Sequence, residues 1–150
     1  MPSAKDSKNI SMVSIKLAPN LSHYRILCVD DSKINQKVAQ FMLQKMGYTV
    51  DIAANGKDAI ESICSFPYDL VLMDIQMPEM DGLEATKAIR SLPQDSYGTR
   101  NEIPIIGLSG ISRKGIHEIC LKAGMSDFLT KPIRKERLLE AIKRHLRIGP

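Results

Sequence analysis

The sequence predicts one α/β domain, a doubly wound five-stranded parallel sheet with helices on both faces. Short apolar runs alternate strictly with segments of helical period, five times over, from Arg25 to Arg147. Three of the runs, Ile26–Val29, Leu70–Met73 and Ile105–Leu108, are nearly continuous in apolar residues, the pattern of strands covered on both faces. The chain of 150 residues, 43% hydrophobic and 25% charged, is long enough to bury a core without disulfides or a structural metal. It shows no internal repeat.

The elements follow in order. Ile26-Leu27-Cys28-Val29 closes on Asp30-Asp31 and reads as a buried strand. Asp31 and Ser32 offer caps for a helix whose apolar set at helical spacing is Ile34, Val38, Phe41, Met42 and Met46, and Gly47 stops it. Tyr48–Ala53 is the second strand, Asn55-Gly56 a turn, and Lys57–Ser65 a helix with Ile60 and Ile63 inward. Asp69–Met73 is the third strand, followed at once by Asp74. The loop Ile75–Asp81 holds Pro78 and leads to a helix from Gly82 through Arg90. Pro93 to Pro104 is a long polar connection containing Gly98. The fourth strand, Ile105–Leu108, ends at Ser109, and a helix near Arg113–Lys122 stops at Gly124. Ser126–Thr130 is a fifth strand ending at Lys131-Pro132. The last helix, Lys135–Arg147, places Leu138, Leu139, Ile142 and Leu146 on one face.

Residues 1–23 differ in kind. They are rich in Ser, Lys and Asn, hold Pro2 and Pro19, and keep no period, so they read as a flexible tail or linker before a domain over 24–147. The net charge of +4 divides into +2 for residues 1–23, −3 for 24–130 and +5 for 131–150. A nucleic-acid module would carry a basic stripe or a recognition motif. Here the basic end falls in a final helix, where Lys and Arg complement the helix dipole, and a solvated face is expected. No apolar run approaches the ~20 residues of a membrane span, and the N-terminus lacks a signal-peptide layout. A soluble, cytoplasmic domain is expected. Cys28, Cys64 and Cys120 are odd in number and lie in apolar stretches, as reduced, buried thiols do. The N-x-S triplets at Asn9 and Asn20 read as chance.

In a parallel α/β sheet, ligands bind outside the carboxyl ends of the strands. Those ends read Asp30-Asp31, Asp74, Ser109 and Lys131. Taken singly, Asp30 or Asp31 is a helix cap, Asp74 a loop residue, Ser109 a cap and Lys131 an exposed cation. All five at one sheet edge favour a site. Three converging carboxylates repel unless a cation joins them, and hard oxygen ligands suit Mg²⁺. A lysine supplies a point charge for a phosphoryl oxygen, and a serine hydroxyl bonds another. The set suits movement of a phosphoryl group onto a carboxylate, with aspartate as the covalent nucleophile.

On these residues the chain resembles the phosphoacceptor receiver domains of two-component signalling. The matching segments are Ile26–Ser32, Leu70–Gly82 (LVLMDIQMPEMDG), Ile105–Ser109 and Phe128–Pro132, within a resemblance over about residues 24–147. Leu70–Gly82, with Leu83-Glu84-Ala85-Thr86 after it, is most similar to receivers of hybrid sensor histidine kinases. The resemblance implies a flavodoxin-like fold with strand order 2-1-3-4-5. It implies Asp74 as the phosphoacceptor and Mg²⁺ held by Asp31, Asp74 and the Gln76 backbone carbonyl, with Asp30 acting through a water. It also implies Lys131 as the phosphoryl contact, Ser109 and Phe128 as the switch pair, and a Lys131–Pro132 bond that is often cis in the family. The partner it implies is a histidine-phosphotransfer protein or histidine kinase docking along the first helix, at Ile34, Asn35 and Val38, with no direct nucleic-acid or membrane contact. Ser109 stands where Thr is more frequent, Gly110 where Ala is usual, and the Pro93–Pro104 connection is longer than in many relatives.

The same residues bear on other functions. A Mg²⁺-dependent aspartyl phosphatase usually carries a second acid two positions after its nucleophile, and Ser32, Lys33 and Gln76 stand there instead. Gly107–Ile111 lacks the second glycine of G-x-S-x-G, and no P-loop is present. An inert pseudo-receiver is disfavoured because every acid, the hydroxyl and the lysine are present. The expected activity is therefore self-phosphorylation and slow self-dephosphorylation rather than enzymatic turnover. The sequence is compatible with a stand-alone receiver or with part of a hybrid kinase.

Overall fold

Hydrogen bonding in this computed structural model orders the strands β2-β1-β3-β4-β5, all parallel. Residues 21–94, 100–110 and 114–146 are described. The strands are β1 (Arg25–Val29), β2 (Thr49–Ala53), β3 (Leu70–Asp74), β4 (Ile105–Ser109) and β5 (Asp127–Thr130). Between and after them run α1 (Lys33–Lys45), α2 (Gly56–Ser65), α3 (Gly82–Arg90), α4 (Ile116–Ala123) and α5 (Lys135–Leu146). A 3₁₀ turn, Arg100–Glu102, precedes β4. The order reverses at β1, so the carboxyl ends of β1 and β3 flank the switch point, where a doubly wound sheet binds its ligand.

Each strand splits its side chains between two cores, because successive residues face opposite ways. Leu27, Val29, Val71, Met73 and Ile105 face α2, α3 and α4, meeting Ala59, Ile63, Ala85, Ile89 and Cys120. Ile26, Cys28, Leu70, Leu72, Ile106 and Leu108 face α1 and α5, meeting Ala39, Leu43, Leu138, Ala141 and Ile142. Leu43 and Ile142 are wholly buried, and truncating such a residue to Ala costs about 2–5 kcal/mol. Leu21 is also buried in the second core, and the Leu21 carbonyl accepts the Tyr24 N–H at 3.0 Å. Leu21–His23, expected in the tail, thus make contacts with the domain. The remainder of the expected tail, residues 95–99 of the connection with Gly98 among them, the Arg113 helix start and Arg147 lie outside the described residues.

Several expectations need correction. The apolar set of α1 does not lie on one buried face: Ile34, Val38 and Phe41 point to solvent, at 75%, 50% and 62% exposure, and for Ile34 and Val38 this is the exposure a docking contact requires. The inward face is Ala39 and Leu43, with Met42 and Met46 half-buried beside them. Asn55-Gly56 is no turn: the Asn55 side chain accepts the Asp58 N–H at 2.8 Å and caps α2, of which Gly56 is the first residue. Cys64 is exposed, on the outer side of α2, while Cys28 and Cys120 are buried. Gly47 and Gly124, with φ of 102° and 108°, end α1 and α4 in the left-handed conformation that favours glycine. The basic residues of α5 are exposed as expected, although Arg144 also pairs with Asp127 at 2.6 Å. No helix of the described residues is long and apolar enough to cross a membrane.

Candidate functional site

Asp30 follows β1 and is held from both sides. The Asp30 N–H donates to the Ala53 carbonyl at 3.1 Å, and the Gln36 side-chain amide donates to the Asp30 carbonyl at 2.7 Å. The Asp30 carboxylate accepts the Ser32 N–H at 2.9 Å, which leaves Asp31 between them, exposed. Ser32, rather than Asp31, caps α1 by accepting the Asn35 N–H. Asp74 is the last residue of β3, and its carboxylate accepts the Gln76 N–H at 3.3 Å.

Lys131 reaches across the crevice from the end of β5. The Lys131 ammonium donates to Asp74 at 3.0 Å and to Asp30 at 3.4 Å. The Lys131 N–H is fixed by the Ser109 carbonyl at 2.7 Å, and the Lys131–Pro132 bond is cis. Asp74 and Asp30 are buried, so these contacts sit in a medium that screens charge less than water does. Burial pushes the Asp74 carboxyl above its ordinary pKa, and the Asp30 charge adds to the rise. The Lys131 ammonium and the Gln76 N–H oppose it. Cys28, under the same edge, is pushed up to about 12 by burial and then by Asp30, so it stays a neutral thiol.

The loop after β3 is closed by a backbone contact. Gly82 donates its N–H to the Ile75 carbonyl at 2.9 Å and packs so closely that a Cβ would stand 2.2 Å from the Asp74 carbonyl oxygen. Asp81 and Glu84 form a reciprocal capping box above it, and Glu79 holds a φ of 66° within the loop. Ser109 ends β4, buried, one strand from Asp74, whose register partner is Leu108.

One carboxylate oxygen from each of Asp30, Asp31 and Asp74 lies within 4.8 Å of the others. Three hard oxygen donors beside one ammonium fit a divalent cation of the Mg²⁺ type better than a soft metal. The structure therefore brings Asp30, Asp31, Asp74 and Lys131 together, with Ser109 at the neighbouring strand end. Phe128 is half-buried on β5, and Ile34 and Val38 lie on the exposed face of α1. Sequence reasoning missed Gln36, whose amide anchors Asp30, and Gly82, whose lack of a side chain sets the loop. It also missed Arg90, whose guanidinium donates to the carbonyls of Gly124, Asn101 and Ile103.

Residues 26–143 match the family model of the response regulator receiver domain. The chain belongs to this family. Receiver domains accept a phosphoryl group on aspartate in two-component signalling. Among curated proteins, this receiver is 41% identical over 129 residues to hybrid signal transduction histidine kinase B of Dictyostelium discoideum, covering 81% of this chain and 7% of that protein. It is 40% identical over 118 residues to the sensor histidine kinase GacS of Pseudomonas protegens, covering 79% of this chain and 13% of that one. The chain thus spans a small part of such relatives. Among solved structures it is similar to the receiver domain of a Pseudomonas aeruginosa sensor histidine kinase, which carries magnesium in its active-site cleft. That match has 36% identity and a TM-score of 0.74 and covers 83% of this chain and 98% of that chain. The Vibrio cholerae chemotaxis protein CheY4 matches at 28% identity and a TM-score of 0.73, over 81% and 98%.

Proposed function

We propose that Asp74 is the residue of this receiver that accepts the phosphoryl group, from a phosphohistidine on a partner. The observation that carries the assignment is the Lys131 ammonium bound at once to Asp74 and Asp30, with Asp31 beside them. In the transfer, an Asp74 carboxylate oxygen forms the new bond to phosphorus. The phosphorus–nitrogen bond breaks, and its electron pair returns to the imidazole. Lys131 exchanges its bond with Asp74 for one to a phosphoryl oxygen. Asp31, Asp74 and the Gln76 backbone carbonyl would hold Mg²⁺ directly, and Asp30 through a water. The cation would neutralise charge that the transferring group brings among three carboxylates. After transfer the acyl phosphate places new negative charge at the end of β3. The Ser109 hydroxyl turns towards it, Phe128 follows, and the surface around them changes.

The domain acts as a signalling acceptor with slow self-dephosphorylation, and its partner is a histidine-phosphotransfer protein or a histidine kinase. Docking uses Ile34, Asn35 and Val38. Large apolar residues left in solvent on one face mark an interaction surface. Beside that face runs a groove of about 510 Å³ lined by Asn35, Val38, Ile133, Asp30 and Lys131, which joins the docking surface to the acid pocket.

Exposure to acetyl phosphate tests the assignment. The wild-type chain is expected to gain one labile phosphoryl group only with Mg²⁺ present, and Asp74→Asn to gain none. Turnover of phosphomonoesters would favour a phosphatase instead, and unlabelled wild type would favour a pseudo-receiver.

A further inference from the structure

Phe128 and Ser109 lie on the same sheet face. Phe128 is registered against Gly107 of β4, and Ser109 shares the Gly107 face two residues further on. The Ser109 hydroxyl belongs to a buried residue, whereas the Phe128 ring is half-buried. On β4, the position opposite Phe128 has no side chain. Its space is taken by the Met125 sulfur and the Ile75 Cδ1, which a Cβ at Gly107 would meet at 2.4 and 3.4 Å. An unbranched thioether repacks easily, so this inner space is a yielding one.

Away from the sheet, Phe128 meets His117 of α4. The two rings are stacked, with centroids 6.1 Å apart and an interplanar angle of 22°. His117 is exposed and belongs to neither core, so it adds little to the fold. A contact made in one of two states and lost in the other biases the equilibrium between them by its own worth.

We propose that His117 is a positioning residue for the switch, its ring holding Phe128 away from Ser109 until phosphorylation draws it in. This rests on the reading of Asp74 as acceptor and of Ser109 and Phe128 as its switch. It assigns to α4 a tuning role: the ring at position 117 sets how much of the phosphorylation energy goes into releasing Phe128.

The test uses the full chain with fluorine-labelled phenylalanine, Mg²⁺ and beryllofluoride as a phosphoryl mimic. The resonance of Phe128 is identified through Phe41→Leu and Phe66→Leu. In wild type, beryllofluoride is expected to shift the Phe128 resonance. His117→Ala should move that resonance part of the way without the mimic and tighten the apparent affinity for it about two- to tenfold, the scale of one aromatic pair. His117→Tyr, which keeps a flat ring and adds no labelled phenylalanine, should restore both values. If beryllofluoride moves Phe128 in wild type but His117→Ala changes neither value, or if His117→Tyr behaves as His117→Ala, the role of His117 is overturned while the switch stands. If the mimic binds wild type without moving Phe128, the switch reading fails and takes this inference with it. If it does not bind, the acceptor site itself is refuted.

Discussion

Replacing Gly82 by Ala is expected to damage stability and the acid pocket together. An added Cβ would stand 2.2 Å from the Asp74 carbonyl oxygen, 2.8 Å from Ile75 Cα and 2.9 Å from the Asp74 carbonyl carbon. These are backbone atoms of the strand that carries the acceptor, so no rotamer change relieves the overlap. The start of α3 must retreat by most of an ångström, which breaks the 2.9 Å bond from the Gly82 N–H to the Ile75 carbonyl. A buried hydrogen-bonding group left unmet costs about 1–3 kcal/mol, and forced overpacking costs a similar amount. A loss of about 2–6 kcal/mol follows, or a melting point lower by roughly 4–24 °C for a chain of this size. Gly110→Ala is the control, since among the described residues the nearest atom to an added Cβ is the Gln76 side-chain oxygen at 4.0 Å. A Gly→Ala change at an unstrained site shifts stability by only about 0.4–1 kcal/mol. Urea denaturation of both variants, with acetyl-phosphate labelling of each, reads the two consequences. A Gly82→Ala chain within about 0.5 kcal/mol of wild type, the range of ordinary surface changes, would refute the close approach and the coupling drawn from it.

Three further outcomes follow from the site. Mg²⁺ should stabilise the folded chain by about 2.7 kcal/mol at a hundred times its dissociation constant, and Asp31→Ala should remove most of that gain; a melting temperature indifferent to Mg²⁺ would dismiss the metal site. Asp74→Asn should raise metal-free stability at neutral pH, because burial and the Asp30 charge hold the folded Asp74 pKa above its unfolded value. The folded state then binds more protons between those two values, so wild type loses stability as pH rises through that window and the loss persists above it; denaturation curves that match across the window would contradict this. Ile34→Ala should slow transfer from a phosphohistidine partner by an amount worth more than about 1 kcal/mol if Ile34 is central to the interface, with acetyl-phosphate labelling nearly unchanged. Equal losses with both donors would show that Ile34 supports the pocket rather than the partner.

The strands and their end residues were legible because they are local signals, whereas the order of the strands in the sheet came from the family resemblance and not from any local pattern. An apolar run ending in an acid says both that the strand is buried and where it stops. The face of α1 was not legible. Ile34, Val38 and Phe41 have the same i, i+4, i+7 spacing as a buried stripe, and period tells which residues share a face without telling which way it turns. Ala39 and Leu43 decide the matter by packing on β1 and β2, while Gln36 is drawn to the Asp30 carbonyl. Cys64 is exposed for a related reason, because the inner face of α2 is already filled by Ala59 and Ile63. Arg90 reads as a dipole-complementing residue at the end of α3. Its bonds to three carbonyls of later loops depend on tertiary approach, which spacing does not encode. The contact of His117 with Phe128 is of the same kind. Gly82 reads as a helix start in the sequence, and only the distance to Asp74 shows why no side chain fits.

The central claim is that one carboxylate, at the end of β3, forms the acyl phosphate. Borohydride reduction of the chain after acetyl-phosphate treatment with Mg²⁺, followed by peptide mass mapping, tests it directly. An acyl phosphate on Asp74 is reduced to homoserine, so the Leu70–Gly82 peptide should carry homoserine at position 74 and Asp30 and Asp31 should remain aspartate. Homoserine at position 30 or 31 with Asp74 intact, or no reduced residue in a chain that takes up phosphate, would contradict the account.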